Sequence, residues 1–178
     1  MPLYPARSLN YINLKDYCKI DGTSDDSIGF TAAYTLASSL GMALWHPGGR
    51  LIKGNDTLLS NVAIDGAGTG ISIIQLKNGA NTDLFSAQTG SINLAAAGNT
   101  GILGTLSRFA IRGITLDGNK ANQSSGTSYP LRFYGYDFEL SRLEILNGYS
   151  GGLLCDWNYG SGIAPPSDQM EAIFDTIK

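Results

Sequence analysis

The chain of 178 residues carries a formal net charge of −3 and has a pI near 5.0, which argues against nucleic acid as a partner because such a partner needs a basic surface. It contains no apolar run approaching the roughly 20 residues that span a bilayer, and its start at residues 1–10 has no apolar signal-peptide core. Hydrophobic residues make up 43% and charged residues 15%, and the 23 glycines are spread along the chain, so composition indicates a folded domain of short strands and tight turns.

The first predicted element is a helix over residues 28–40, after a lead-in of residues 1–20. Its apolar residues recur mainly every four positions, and this spacing predicts the face that packs against the core: Ile28, Ala32, Leu36 and Leu40, with Phe30, Ala33 and Ala37 widening the stripe. Gly41 suits the left-handed position that follows the last turn of a helix.

Ser24, Asp25 and Asp26 stand just before this helix. They are interpreted as N-cap residues rather than catalytic ones, because a side-chain oxygen there accepts from free backbone N–H groups and negative charge is favourable at a helix N-terminus. A helix with an apolar face can also cover the unpaired backbone groups of a first coil of strands. We therefore expect a capping helix.

The rest of the chain contains a repeat. Residues 59–66, 111–118 and 140–148 share the pattern apolar, two residues, apolar, one residue, apolar, and the first two copies both end in Asp-Gly. Leu59 and Ile111 are 52 positions apart, and Ile111 and Leu140 are 29 positions apart. In each copy, apolar residues alternate with other residues on both sides of a two-residue gap, where the chain is expected to bend. Recurrence of this pattern at such intervals indicates a solenoid rather than the short alternating strands of a sandwich.

A second strand is expected after each copy, entered through a glycine. Residues 71–73 follow the first copy, Leu131–Phe133 follow the second after a polar loop at 119–130, and Leu153–Cys155 follow the third. Insertions at one corner of a solenoid lie on one face, which is often the binding face. Residues 174–177 repeat the start of the pattern 63 positions after Ile111, so the chain is expected to stop inside a coil.

Motifs in the N-terminal half resemble a known family. DGTSDD at 21–26 leads into the helix, HPGG follows at 46–49, and DGAG follows at 65–68. In this order they resemble the N-terminal part of the pectate-lyase superfamily, in particular the glycan-cleaving tailspikes of bacteriophages. The resemblance implies an all-β, right-handed, single-stranded parallel β-helix with an N-terminal capping helix. Residues 21–178 would form its helix and first coils, with the domain incomplete at its C-terminus.

The resemblance also implies a function. Proteins of this kind bind and depolymerise a host surface polysaccharide by hydrolysis or β-elimination, form homotrimers, and act on the virion tail or outside the cell. No cofactor, nucleic acid or membrane insertion is expected. The alternative on the same scaffold is a non-catalytic glycan-binding adhesin or a structural virion appendage. Whether the chain is an enzyme stays open, since we expect its active site to lie outside these residues or to be incomplete in them.

An aromatic patch is the best candidate for substrate binding. Trp157 and Tyr159 follow the strand that begins at Leu153, and Tyr134 and Tyr136 follow the corresponding strand one coil earlier, so stacked coils would bring all four to one edge. Aromatic faces beside polar groups suit sugar rings, although such rings also pack inside loops or against a neighbouring subunit. Asp156, next to Trp157, is a weak candidate for a catalytic acid or base.

The other carboxylates are expected to be structural. Asp65 and Asp117 precede turn glycines and suit turn residues that bond their own backbone. Asp137, Glu139 and Glu144 lie in or beside strand repeats, where solvated surface is expected.

No metal or cofactor site is expected from the remaining motifs. His46 is the only histidine, which excludes a histidine-rich metal centre and favours a structural role in a turn. The GAGTG segment at 66–70 leads into a strand, which excludes a dinucleotide fingerprint. Cys18 and Cys155 lack metal-binding or redox spacing and are expected to be unpaired thiols, with a disulfide left open.

Overall fold

The computed structural model describes residues 10–86, 106–124, 128–133, 135–155 and 172–177. One α-helix, α1, spans Ser27–Leu40 within these ranges. The strands in the same ranges are β1 (Tyr11–Asn13), β2 (Asp21–Asp25), β3 (Ala43–His46), β4 (Gly49–Lys53), β5 (Asp56–Thr57), β6 (Ala63–Gly66), β7 (Ser72–Leu76), β8 (Phe85–Ser86), β9 (Leu106–Asp117), β10 (Leu131–Phe133), β11 (Gly135–Leu146), β12 (Leu153–Cys155) and β13 (Ala172–Ile177). No helix among the described residues is long and apolar enough to cross a membrane.

The strands stack in parallel to form three faces of a coil. Face 1 runs through β1, β3, β6, the first half of β9, the first half of β11 and β13. Face 2 runs through β2, β4, β7 and the second halves of β9 and β11, and face 3 runs through β5, β8, β10 and β12. Because each strand pairs with the strand one coil away, the chain forms a parallel β-helix, as predicted.

The core lies inside the coil and is built from in-register apolar ladders. On face 1, each coil contributes one buried residue to the same column: Ile12, Leu44, Ile64, Ile111 and Leu140. Phe109, Phe133 and Phe138 fill the corner between faces 3 and 1, with ring centroids 4.8–5.3 Å apart. Each fully buried side chain of this size contributes roughly 1.5–3 kcal/mol by leaving water.

Residues with positive φ angles form the bends in the long strands. These bends keep the apolar side chains of both halves of each strand facing inward. Arg108, Gly113, Asp137 and Arg142 have φ values of 53°, 63°, 53° and 48°. Gly113 and Arg142 occupy the two-residue gaps predicted from the repeat. Their positions let the alternating residues before and after each bend both reach the core. The predicted register between the second and third copies is confirmed, because Ile111 pairs with Leu140 and Ile114 with Leu143.

The start of the next copy is also confirmed, since Phe174 pairs with Leu140 and Ile177 with Leu143. The predicted register of the first copy is wrong. Ile64, rather than Leu59, pairs with Ile111, so the true offset is 47 positions instead of 52.

A wider corner in one coil explains this error. In β9 and β11 the strands of faces 1 and 2 are continuous, whereas residues 67–71 separate β6 from β7. The prediction that residues 71–73 are equivalent to Leu131 and Leu153 is therefore also wrong, because β7 lies on face 2. Phe85 of β8 is the true partner of Leu131, while the predicted pairing of Leu131 with Leu153 is confirmed.

Helix α1 matches the predicted range, and Phe30, Ala33 and Ala37 of the predicted stripe are buried, but the residues predicted at its centre are mostly exposed. Its buried residues are Phe30, Ala33, Tyr34 and Ala37, whereas Ile28, Leu36 and Leu40 are 88%, 38% and 59% exposed. Spacing alone could not choose between two apolar stripes on an uncharged helix. The larger aromatic rings face the core because they bury more surface there. Gly41 ends the helix in the left-handed region with φ 64°, as predicted.

The two aspartates before α1 act differently from a simple N-cap. Asp26 occupies the cap position, but its carboxylate accepts from the backbone N–H groups of Lys19 and Ile20, at 2.8 and 3.1 Å. Asp25 accepts from the backbone N–H of Ser27 at 3.0 Å and from its hydroxyl. The structural interpretation holds, but Asp26 fastens the preceding segment to the helix instead of satisfying the first turn.

A buried lysine lies beneath α1. Lys53 has no exposed surface, and its Nζ contacts Asp56 Oδ2 at 2.9 Å and the carbonyls of Gly54 and Leu84 at 3.0 Å. The ammonium also lies 4.0 Å from the ring centroid of Phe85 and 4.8 Å from that of Phe30. Aromatic faces, carbonyls and one carboxylate thus replace water around this charge.

Because of Lys53, the free energy of unfolding is expected to rise with pH in the alkaline range. Burial lowers its pKa from 10.5 to about 8. Between these values the unfolded chain binds more protons than the folded chain, so this group raises the free energy of unfolding as the pH rises. We expect that rise, measured by urea unfolding from about pH 7 to about pH 10.5, to be missing from Lys53→Met. Titrations of other groups are common to both proteins, so a wild-type-minus-variant difference that stays flat would contradict the expectation.

Candidate functional site

The predicted aromatic patch lies only partly within the described residues. β10 and β12 pair in register, Leu131 with Leu153 and Phe133 with Cys155, so these two strands end at the same edge of face 3. Tyr136 belongs to β11, opposite Ser107. Tyr134, Asp156, Trp157 and Tyr159 lie outside the described residues. Their roles in substrate binding and catalysis therefore stay predictions.

A row of polar and aromatic side chains covers the exterior of face 1. We call it the outer ladder, and it consists of Tyr11, Trp45, Asp65, Arg112, Glu139 and Ser141. Trp45, Asp65, Arg112 and Ser141 are partners on successive strands, so they stand at the strand spacing of about 4.8 Å. The neighbours of these positions in sequence, Leu44, Ile64, Ile111 and Leu140, point into the core, and strand alternation therefore directs the ladder outward.

The centre of the outer ladder is one guanidinium between two carboxylates. Arg112 Nη1 lies 3.1 Å from Asp65 Oδ1, and its Nε lies 2.8 Å from Glu139 Oε2. The Ser141 hydroxyl donates to Glu139 Oε1 at 2.7 Å. Although burial opposes the charge of Arg112, its bonds to Glu139 and Asp65 raise its pKa above the ordinary value. The three side chains thus form a fixed network across three strands.

The other end of the ladder is aromatic. The rings of Tyr11 and Trp45 lie 5.8 Å apart with their planes inclined at 42°. Tyr11 is 53% exposed and Trp45 is partly exposed. An exposed ring pair next to carboxylates presents apolar faces and hydrogen-bond acceptors together, which is the combination that sugar rings use.

The ion pairing decides what the ladder can do chemically. Glycoside hydrolysis needs one carboxyl group that gives up a proton and a second that stays ionised. Asp65 and Glu139 are instead both bonded to the same guanidinium, so each serves as a partner of Arg112. Ion-paired carboxylates beside aromatic faces form an arrangement that is suited to binding.

The carboxylates of the ladder have roles other than those their sequence positions predict. Glu139 was expected on solvated surface, yet its side chain is only 20% exposed and paired with Arg112. Asp65 was expected to bond its own turn, yet it pairs with Arg112 one coil away. The missed signal is the offset of 47 positions, at which Asp65 and Arg112 coincide. At the predicted offset of 52, Asp65 is matched with Asp117, and the ion pair is hidden.

Carboxylates on face 2 are structural. Asp117 accepts from the backbone N–H of Asn119 at 2.9 Å, as expected of a turn residue, and also from the amides of Gln75 and Asn147, each at 2.9 Å. Glu144 accepts from the Thr115 hydroxyl at 2.8 Å. Every one of these bonds joins neighbouring coils or closes a corner. We therefore assign face 2 to stacking of the coils.

His46 and Cys18 are inert in this fold. The Gly48 N–H donates to His46 Nδ1 at 3.3 Å, so Nε2 carries the proton towards the Ile73 carbonyl at 3.2 Å. Burial lowers the pKa of His46, which ends β3 and has a structural role, as predicted. Cys18 is a buried free thiol whose pKa burial raises to about 12. Among the described residues, no group of three or more histidine, cysteine, aspartate or glutamate side chains could hold a metal ion.

Comparison with known proteins points to polysaccharide enzymes and viral proteins with this fold. No protein-family model matches the sequence. The chain is 33% identical over 158 residues to the mannuronan C5-epimerases AlgE5 and AlgE2 of Azotobacter vinelandii, a match that covers 77% of this chain. It spans only 15% of the length of these curated relatives.

Solved structures extend the comparison. The A-module of the Azotobacter vinelandii mannuronan C-5 epimerase AlgE4 superimposes with a TM-score of 0.65 at 25% identity, covering 82% of this chain and 40% of that structure. ORF18 of Geobacillus virus E2 superimposes with a TM-score of 0.56 at 16% identity, covering 77% of this chain and 26% of that structure. Gene product 12 of bacteriophage phi29 gives 0.52 at 19% identity, covering 93% of this chain and 21% of that structure. The chain is therefore a parallel β-helix protein, as its resemblance to the pectate-lyase superfamily implies.

Proposed function

We propose that this chain is the N-terminal portion of a β-helical protein that binds a polysaccharide along the outer ladder. The observation that carries the proposal is the row itself, in which an exposed aromatic pair is followed on successive coils of one face by Asp65, Arg112 and Glu139. A ladder repeated at strand spacing offers successive contacts to an extended polymer. The similarity to mannuronan epimerases, which are named for a polysaccharide, supports a polysaccharide as the ligand, and the charge of its sugars is a separate question.

The finer proposal is a phage-tailspike-like protein that depolymerises a host surface polysaccharide as a homotrimer. Two viral proteins that share the fold support the virion assignment. The cleavage would be hydrolysis or β-elimination, with Trp157, Tyr159, Tyr134 and Tyr136 adding to substrate binding and Asp156 as the candidate acid or base. The alternative is a non-catalytic adhesin or virion appendage, and the fully ion-paired carboxylates of the ladder favour it for the described residues.

Binding and cleavage are tested separately. The 178-residue chain is applied to a panel of immobilised bacterial surface polysaccharides, and bound polymers are then assayed for new reducing ends and for the absorbance of unsaturated uronate. Binding with cleavage that Asp156→Asn abolishes would support the depolymerase. Binding without cleavage would favour the adhesin. Absence of binding to every polymer would overturn the proposed function.

For any polysaccharide that the chain binds, Trp45→Ala is expected to weaken binding by about two- to tenfold, because contacts made by an aromatic ring are worth roughly 0.5–1.5 kcal/mol. The dissociation constant is measured by biolayer interferometry. Tyr17→Ala is the matched control, since Tyr17 is 42% exposed but lies outside the ladder. Equal losses in the two variants would contradict a specific role for Trp45.

A further inference from the structure

The charge balance of the outer ladder bears on which sugars it accepts. Arg112 is the only cationic side chain of the ladder, its side chain is 10% exposed, and both Asp65 and Glu139 are bonded to it. The side chains of these carboxylates are 28% and 20% exposed. The two carboxylate side chains are thus a larger fraction exposed than the arginine side chain that they flank.

Resting on the proposed function, we propose that the outer ladder binds the hydroxyl groups of uncharged sugars and rejects sugar carboxylates. Carboxylate oxygens with unused lone pairs accept hydrogen bonds from hydroxyls, and the Trp45 and Tyr11 rings provide apolar faces. A uronate brought to the same place sets its own negative charge beside Asp65 and Glu139, and like charges at short range oppose binding.

Two arginines near the ladder lie at the bends. Arg108 precedes the face 1 segment of β9 and stands opposite Asp137 in the next coil, while Arg142 lies at the bend between faces 1 and 2. Glu144 lies on face 2 and is bonded to Thr115. None of these groups is a member of the ladder. The net charge of the ladder itself is −1, from Asp65, Glu139 and Arg112.

The test uses pairs of polymers that differ only in charge. β-1,4-Mannan and mannuronan are one such pair, since a hydroxymethyl group in the first replaces the carboxylate of the second, and other neutral and uronate-containing pairs complete the panel. For the wild-type chain we expect the neutral member of a bound pair to bind roughly tenfold more tightly or better. Equal or tighter binding of the uronate member would overturn the inference. Failure to bind either member of any pair would overturn the proposed function itself, which is a distinguishable result.

A variant in which the net charge of the ladder is reversed gives a second test of its preference between neutral and uronate polymers. The double variant Asp65→Asn, Glu139→Gln leaves Arg112 without its carboxylates, so we expect preference to move towards the uronate member by about tenfold. Glu144→Gln is the matched control because it removes a carboxylate outside the ladder, and its preference should equal that of the wild type. A folded double variant with unchanged preference would overturn the inference. Folding is checked by circular dichroism and thermal unfolding, and the wild-type comparison decides alone if the double variant does not fold.

Discussion

Asp56→Ala is expected to lower the free energy of unfolding by about 3–5 kcal/mol, because it leaves a fully buried ammonium without its counter-charge. Asp56 Oδ2 lies 2.9 Å from Lys53 Nζ, and its other oxygen accepts from the Thr31 hydroxyl at 2.7 Å. The variant therefore weakens both the ion pair and the attachment of α1. Urea unfolding at neutral pH measures the loss.

An exposed lysine provides the comparison for this result. Lys77→Met removes an ion pair with Asp25 whose side chains are 43% and 51% exposed, and it should change the free energy of unfolding by no more than about 1 kcal/mol. The penalty of Asp56→Ala should also shrink as the pH is raised, because Lys53 then loses the charge that Asp56 compensates. A loss as small as that of Lys77→Met would contradict the buried ion pair.

Phe30→Ala is expected to lower the free energy of unfolding by about 3–5 kcal/mol through the cavity it leaves. Phe30 has no exposed surface, and its ring centroid lies 5.5 Å from that of Tyr34 and 5.7 Å from that of Phe85. Its loss also removes one aromatic neighbour of Lys53. Denaturant unfolding of the purified variant checks the size of the effect.

The matched control is on the same helix. Ile28 is 88% exposed, so Ile28→Ala should cost no more than about 0.5 kcal/mol. This pair of variants separates the buried face of α1 from the four-residue row, beginning at Ile28, that was predicted as the centre of the stripe. Greater damage from Ile28→Ala than from Phe30→Ala would contradict the orientation of the helix.

The coil architecture could be predicted from sequence because alternation and bends are local properties. Ile111 and Ile114 flank a two-residue gap in the sequence, and that gap is the bend at Gly113. The copy containing Leu140 and Leu143 follows the same pattern in one continuous strand, so its register was also predicted correctly. Local spacing was sufficient wherever no residues were inserted at the corner.

The candidate site could not be predicted in the same way because it depends on pairing between coils. The extra residues at 67–71 move β7 relative to β6, and matching the two Asp-Gly pairs then gives the wrong offset. Once that offset is wrong, Asp65 and Arg112 are not recognised as neighbours. The orientation of α1 was predicted only in part for a related reason, since which of its apolar residues are buried depends on the shape of the coil beneath it.

The stacking of distant segments has a consequence for how the chain reaches its native state. Ile64 pairs with Ile111 and Ile111 pairs with Leu140, so strands that touch are 47 and 29 residues apart in sequence. Closing loops of that length costs chain entropy before any ladder bond repays it. High contact order of this kind slows folding and lengthens the time during which unpaired strand edges are exposed. Slow refolding at low protein concentration is therefore the natural way to recover this protein from denaturant.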